Sequence, residues 1–186
     1  TTSDITAQVE AEQRYRNLIE QSPAPVLVHN GGVLAYANPA ALAMFGAEEP
    51  DQLVGRPVTD LVHPDDLDDY RKRLSQIVEE GIVTDLIEQR HKRLDGSEIV
   101  VISRGVPVIW DGQRAALEAL IDITDRVKAE RQYRELIEHA PMAITVDDGE
   151  RFIVANQAFA DLFGADSPAA VVGRPIVDIM DPDDEE

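Results

Sequence analysis

In a chain without cysteine, histidine is the side chain best suited to bind a metal, carry a proton or accept a phosphoryl group. This sequence has four, at positions 29, 63, 91 and 139. His63 opens the run His63-Pro64-Asp65-Asp66, an imidazole followed by two carboxylates, which could serve a metal or haem iron. The same four residues also make a helix start: a capping side chain, a proline in the first turn, then two carboxylates at the positive end of the helix dipole. That reading needs no metal, and nothing at ligand spacing completes a coordination shell. His91 lies in QRHKRLDG, a polar strand end before a tight turn, and His29 and His139 each adjoin a loop. A phosphoacceptor histidine stands in a helix before an acidic residue. Here the four histidines precede Asn30, Pro64, Lys92 and Ala140. No glycine-rich nucleotide loop and no Ser/His/Asp arrangement is present. The residues therefore predict no catalytic site and no metal site in this chain, and any catalytic domain is expected outside it.

Composition narrows the classes further. The 186 residues carry 36 acidic against 17 basic side chains, a formal charge of −19. Direct nucleic-acid binding requires a basic face to meet phosphate, so it is not expected. The only lysines are Lys72, Lys92 and Lys128. An acidic, lysine-poor surface suits a salt-rich cytoplasm, where screening shortens self-repulsion; an acidic protein of an ordinary GC-rich organism is the alternative. The absence of cysteine excludes disulfides and thiolate chemistry and fits a cytoplasmic setting. There is no apolar run long enough to span a bilayer, so no membrane contact is expected from this segment.

The elements that must position any site are announced by an internal repeat. DITAQVEAEQRYRNLIE at 4–20 returns as DITDRVKAERQYRELIE at 122–138. Sliding the chain by about 118 positions aligns 4–66 with 122–184 without a gap, with roughly 29 of 63 residues identical. Asn38 and Asn156 can cap short helices that Gly46 and Gly164 stop. PVLVHN and VLAYA around Gly31-Gly32 read as a hairpin. Short helices are expected near 38–45 and 57–62, and a longer amphipathic one near 64–80. Three strands follow, turned at Asp95-Gly96 and Asp111-Gly112. Two strands, helices, then three strands make an α+β domain on one antiparallel sheet.

The set N-P-A-A…F-G (38–46), G-R-P (55–57), H-P-D-D (63–66), R-L-D-G-S (93–97) and D-I-T (122–124), in this order, resembles the PAS sensor-domain family across residues 23–124. The resemblance implies a five-stranded antiparallel sheet around a small internal pocket, with short helices on one face. It implies a sensory or dimerising module in a larger signalling protein, such as a sensor histidine kinase or transcriptional regulator, whose output domain lies in the same parent chain. On that reading 1–22 is the end of a preceding PAS unit plus a linker helix, 23–124 a complete PAS domain, 125–140 a linker helix and 141–186 the truncated start of a second PAS domain. In the family the acidic residue of D-I-T latches to a basic group of the sheet. This gives Asp122, Ile123 and Thr124 a relay role, with Arg104 as the expected partner of Asp122.

A cysteine-linked flavin is excluded by composition. Haem is not expected either, because haem-binding relatives place their ligand on the long helix, here without a histidine after its cap. A small organic ligand and an empty structural pocket both remain open. Strand alternation nominates Val26, Val28, Ala35, Val100, Ile102, Leu117 and Ala119 as pocket residues, with Leu42, Phe45, Leu61, Leu67 and Leu74 approaching from the helices. Most apolar stripes of this kind are simply core. In the repeated helix, Tyr15 and Leu18, and likewise Tyr133 and Leu136, fall on one seam at heptad spacing, which predicts a parallel homodimer. The alternative is a helix that only packs on its own sheet. Constitutive scaffolding without a ligand is the competing function.

Overall fold

The computed structural model describes residues 16–178, so Tyr15 and the second H-P-D-D equivalent at 181–184 lie outside the described residues. Two compact units divide between Asp125 and Arg126.

In the first unit, helix α1 (helical at 16–20) leads into β1 (Val26–Asn30) and β2 (Val33–Ala37). The turn between them holds Gly31 and Gly32 at φ 56° and 81°, left-handed values that glycine adopts without strain. Helix α2 (Pro39–Phe45) begins at Asn38, whose side chain accepts from Ala41 N–H, and stops at Gly46 with φ 72°. After short 3₁₀ turns comes α3 (Leu67–Val78), preceded by a separate 3₁₀ turn at Pro64–Asp66. The long helix expected over 64–80 is thus two pieces. His63 caps the first, its ring nitrogen accepting from Asp65 N–H. Strands β3 (Ile87–Lys92), β4 (Glu98–Trp110) and β5 (Gln113–Asp122) complete a five-stranded sheet in the order β2-β1-β5-β4-β3. The pairings β1–β2, β1–β5, β3–β4 and β4–β5 are all antiparallel.

The two faces of this sheet have separate apolar clusters. Toward the helices, Leu27, Leu34, Ile99, Val101 and Leu120 pack with Phe45, Leu61 and Tyr70. On the opposite face Val26, Val28, Trp110 and Ala115 are covered by Ile19 of α1, with Ala35, Tyr36, Val108 and Leu117 around them. Arg16 of α1 stacks 4.3 Å above the Trp110 ring and pairs with Asp111. Tyr36 donates to Glu20, and burial together with that carboxylate raises its hydroxyl pKa. Helix α3 lies so close to β4 that a Cβ on Gly105 would overlap Ile77 Cδ1.

The second unit takes up α4 (Thr124–Glu138) from Arg126 onward. It continues with β6 (Thr145–Asp147), β7 (Phe152–Ala155) and α5 (Gln157–Leu162). Phe152, Ala155, Phe159, Ala160 and Val171 form its core.

Candidate functional site

The alternation along the strands runs opposite to the sequence expectation. Val26, Val28, Ala35 and Leu117 belong to the cluster beneath α1. Val100, Ile102 and Ala119 alternate with residues of the helix-facing cluster and stand on that same far side. The helix residues Leu42, Phe45, Leu61, Leu67 and Leu74 do reach the helix-facing cluster. What the strands offer them there is different: a polar group at the centre of an apolar floor.

That group begins with His29 of β1 and Glu118 of β5. Their exposures are 0% and 1%, and His29 Nε2 stands 3.5 Å from Glu118 Oε1. The hydroxyl of Tyr70, from α3, is 3.4 Å from the same ring nitrogen. His91 of β3 is fully buried, flanked by the rings of Phe45 at 6.0 Å and Tyr70 at 6.4 Å between centroids. His29 and His91 each stand one residue from the end of a strand beside a turn, as the sequence places them, but both are buried rather than peripheral. Arg73 closes the group from α3, donating through its terminal nitrogens to Gln89 Oε1, Ser103 Oγ and Thr84 Oγ1. Five buried atoms of this group have no hydrogen-bond partner in the structure: His29 Nδ1, both ring nitrogens of His91, Arg73 Nε and Glu118 Oε2.

Burial shapes the electrostatics of this group. It lowers the His91 pKa to about 4, which leaves a neutral ring with one donor and one acceptor nitrogen. For Glu118 burial opposes ionisation, but the hydrogen bond from His29 and the surrounding His29, His91 and Arg73 outweigh it and hold the carboxyl below its usual range. Burial, reinforced by Glu118, raises the Tyr70 hydroxyl well above the ordinary phenol value. Among the described residues no group of three or more histidine or acidic side chains is arranged to hold a metal ion. Helix α3 contains no histidine, so it does not offer the ligand that a haem on the long helix would need.

The relay residues form a second arrangement, at the exit of the sheet. Asp122 pairs with Arg93 at 3.0 Å; the expected partner, Arg104, is exposed on β4 opposite Ala119. Arg93 sits in the β3–β4 turn, where it also donates to Met44 O at the end of α2. The other carboxylate oxygen of Asp122 accepts from Thr124 N–H. Thr124 Oγ1 in turn accepts from Val100 N–H, and Ile123 N–H donates to Val100 O. The first residue of α4 is thereby tied to β4, to the β3–β4 turn and, through Arg93, to α2.

A third arrangement was not visible in the sequence beyond its helix-capping half. The buried amide of Asn38 accepts from Val26 N–H and Ala41 N–H and donates toward the carbonyls of Ile19, Ser22 and Ala24. Asn156 does the same with Ile144, Phe159, Ile137, Ala140 and Met142. Each partner lies 118 positions after its counterpart. In both units one amide joins the incoming helix, the first strand and the first short helix.

Of the seam residues in the described part, Leu18, Tyr133 and Leu136 are 68%, 65% and 73% exposed.

Comparison with known proteins fits this architecture. PAS domain families match residues 23–125 and 131–186, and the chain belongs to the PAS domain family. Sporulation kinase A of Bacillus subtilis is 28% identical over 179 residues, covering 92% of this chain and 29% of the kinase. Protein CrtJ of Rhodobacter capsulatus is 28% identical over 184 residues, covering 95% of this chain and 38% of that protein. The chain thus spans less than two fifths of either relative. Among solved structures, a PAS domain from Colwellia psychrerythraea superposes with a TM-score of 0.54 at 22% identity, covering 62% of this chain and 99% of that domain. The PAS domain of an HTR-like protein from Haloarcula marismortui gives 0.52 at 23% identity, covering 66% of this chain and all of that one. PAS domains are regulatory sensor modules, which assigns the chain a role in sensory signal transduction.

Proposed function

We propose that residues 23–125 receive a signal in the interior between α3 and the sheet and pass it through Asp122-Ile123-Thr124 into α4, toward an output domain in the same parent chain. The observation that carries this reading is the double tether of Thr124. A shift of β4 relative to the β3–β4 turn moves Val100 and Arg93 apart, and both hold the start of α4 directly or through Asp122. A relay needs an element with two arrangements that the input biases, and a helix pinned by a few polar contacts can supply it. In the full-length protein Asp122→Ala is expected to change output while residues 23–125 keep their thermal transition. Unchanged output over the whole stimulus range would retire the reading.

Constitutive dimerisation without a ligand is the second reading. It is favoured by Leu18, Tyr133 and Leu136, apolar side chains left exposed on terminal helices. The relay reading itself includes a homodimer, since a parallel pair of α4 helices would carry the movement onward. The two differ in whether a small molecule changes the helix arrangement.

A further inference from the structure

We propose that the first unit contains an acid-sensitive switch, in which a proton taken up by His91 releases α3 from the sheet. The inference rests on the reading above that a signal enters between α3 and the sheet, and it names that signal as a change in pH. His91 is fully buried on β3, with the Phe45 ring of α2 and the Tyr70 ring of α3 as its neighbours. Neither of its ring nitrogens has a hydrogen-bond partner. A proton added there makes both nitrogens donors without giving either an acceptor. Glu118 on β5 and Asp66 in the turn before α3 attract an imidazolium at this position, and Arg73 on α3 repels it. His29 on β1 pairs with Glu118, and the Tyr70 hydroxyl adjoins His29. Burial outweighs the attraction, so the closed arrangement keeps His91 neutral down to about pH 4.

Lifting α3 removes two obstacles to that proton at once, because it carries Arg73 away and admits water to the ring. Helix α3 is held to the sheet by side chains. Arg73 donates to Gln89, Ser103 and Thr84, Tyr70 approaches His29, and Ile77 packs against Gly105. The other cover, α2, is tied through its backbone, since Leu94 N–H donates to Phe45 O. The approach to α3 is anchored as well: Asp66 accepts from Arg90 N–H and from its guanidinium. The helix body is therefore the part free to leave. Strand β3 carries the change onward, because Arg93, two residues after His91, pairs with Asp122 and donates to Met44 O.

With α3 lifted, His91 titrates as an exposed histidine, near ~6.5. Opening then becomes about twentyfold easier between pH 7 and pH 5. A released helix of 12 residues is marginal in water, so its amides exchange once it leaves the sheet. Hydrogen exchange of the 186-residue chain, corrected for the intrinsic rate at each pH and repeated in low urea, tests this. Amides 71–78 should lose about twentyfold protection from pH 7 to pH 5 by a route that urea barely changes, as a local opening does. Amides of β5 should exchange only by a urea-sensitive, global route. Equal protection and equal urea slopes in α3 and β5 would overturn the proposal, and so would α3 protection that ignores pH. His91→Leu should abolish the pH dependence in α3; a loss that persists there would also overturn it. Wild type gives a second reading that needs no substitution: the Thr124 amide signal should move in step with the imidazole ¹⁵N signals of His91. A Thr124 signal that stays still while His91 titrates would refute His91 as the input. If α3 ignores pH while Asp122→Ala changes output, only this inference falls. If α3 opens in acid while Asp122→Ala leaves output unchanged, the relay reading falls and the acid release of α3 stands.

Discussion

The neutral imidazole of His91 has a consequence for stability that can be signed. Its folded pKa is depressed to about 4, whereas a histidine in an unfolded chain titrates near ~6.5. Between those values the unfolded state binds a proton that the folded state refuses, so stability falls as pH falls and is level above the window. By pH 5 the loss is about 2 kcal/mol. Glu118 and Asp66, both held below their ordinary values, begin to weaken the fold only at pH below those values, 4.5 and 3.8. Urea titrations at pH 7 and pH 5 should therefore show a drop in wild type that His91→Leu largely lacks; equal drops would refute the assignment. Asn38 gives a sharper test, because its repeat partner serves as a control. Asn38→Ala leaves two amide hydrogens and three carbonyls around a buried amide-sized gap, and should cost about 3 kcal/mol. Asn156→Ala should leave hydrogen exchange in residues 25–124 unchanged while accelerating it in 144–160. If Asn38→Ala is neutral, the amide does not join these segments.

At the scale of elements, closeness of approach decides more than propensity does. Gly105 lets α3 lie against β4, with Ile77 filling the space a side chain would need, and Ile77 is fully buried. Gly105→Ala should cost about 1–3 kcal/mol by overpacking, read as a lower urea midpoint at unchanged slope; a neutral result would mean α3 can slide on the sheet. The order of strands and helices was legible from turn residues: Gly31-Gly32, Asp95-Gly96 and Asp111-Gly112 each mark a hairpin, and Asp111 accepts φ 48° before Gly112 at 76°. Which face of each strand meets the helices was not. Both faces of β1, β4 and β5 carry apolar residues, because α1 covers the side that an open sheet would give to water, so alternation alone could not choose. The signal that could have chosen was the lone acid in the apolar run of β5, AALEALI. Glu118 there, and His29 in the equally apolar β1, pick out the face on which a polar group must find partners. The pairing of Asp122 with Arg93 rather than Arg104 likewise depended on register, which brings the β3–β4 turn beside the end of β5.

For the whole molecule, charge and exposed apolar surface pull in opposite directions. The chain carries a formal −19, and two copies brought side by side double that charge over a short distance. Leu18, Tyr133 and Leu136 nevertheless stand exposed on the terminal helices, and covering them removes apolar area at about 25 cal/mol per Å². Within one α4, Arg131–Glu135 and Arg134–Glu130 pair four residues apart. These local pairs give little stability and leave the acidic excess elsewhere uncompensated. The screening length is about 30 Å at 0.01 M salt, about 10 Å at 0.1 M and 3 Å at 1 M. Repulsion between copies is thus felt across the contact in dilute buffer and is nearly quenched in molar salt, while burial of leucine and tyrosine is not weakened. Association should therefore increase with sodium chloride. Light scattering at micromolar concentrations should give a monomer mass at 0.01 M and move toward a dimer at 1 M, with Tm rising over the same range as self-repulsion within each chain is screened. Tyr133→Glu/Leu136→Glu should remain monomeric throughout and still gain Tm with salt, because the two added carboxylates only increase its internal repulsion. A wild-type mass that is the same at every salt concentration would overturn salt-driven association, and a double variant that associates equally well would place the contact elsewhere than on α4.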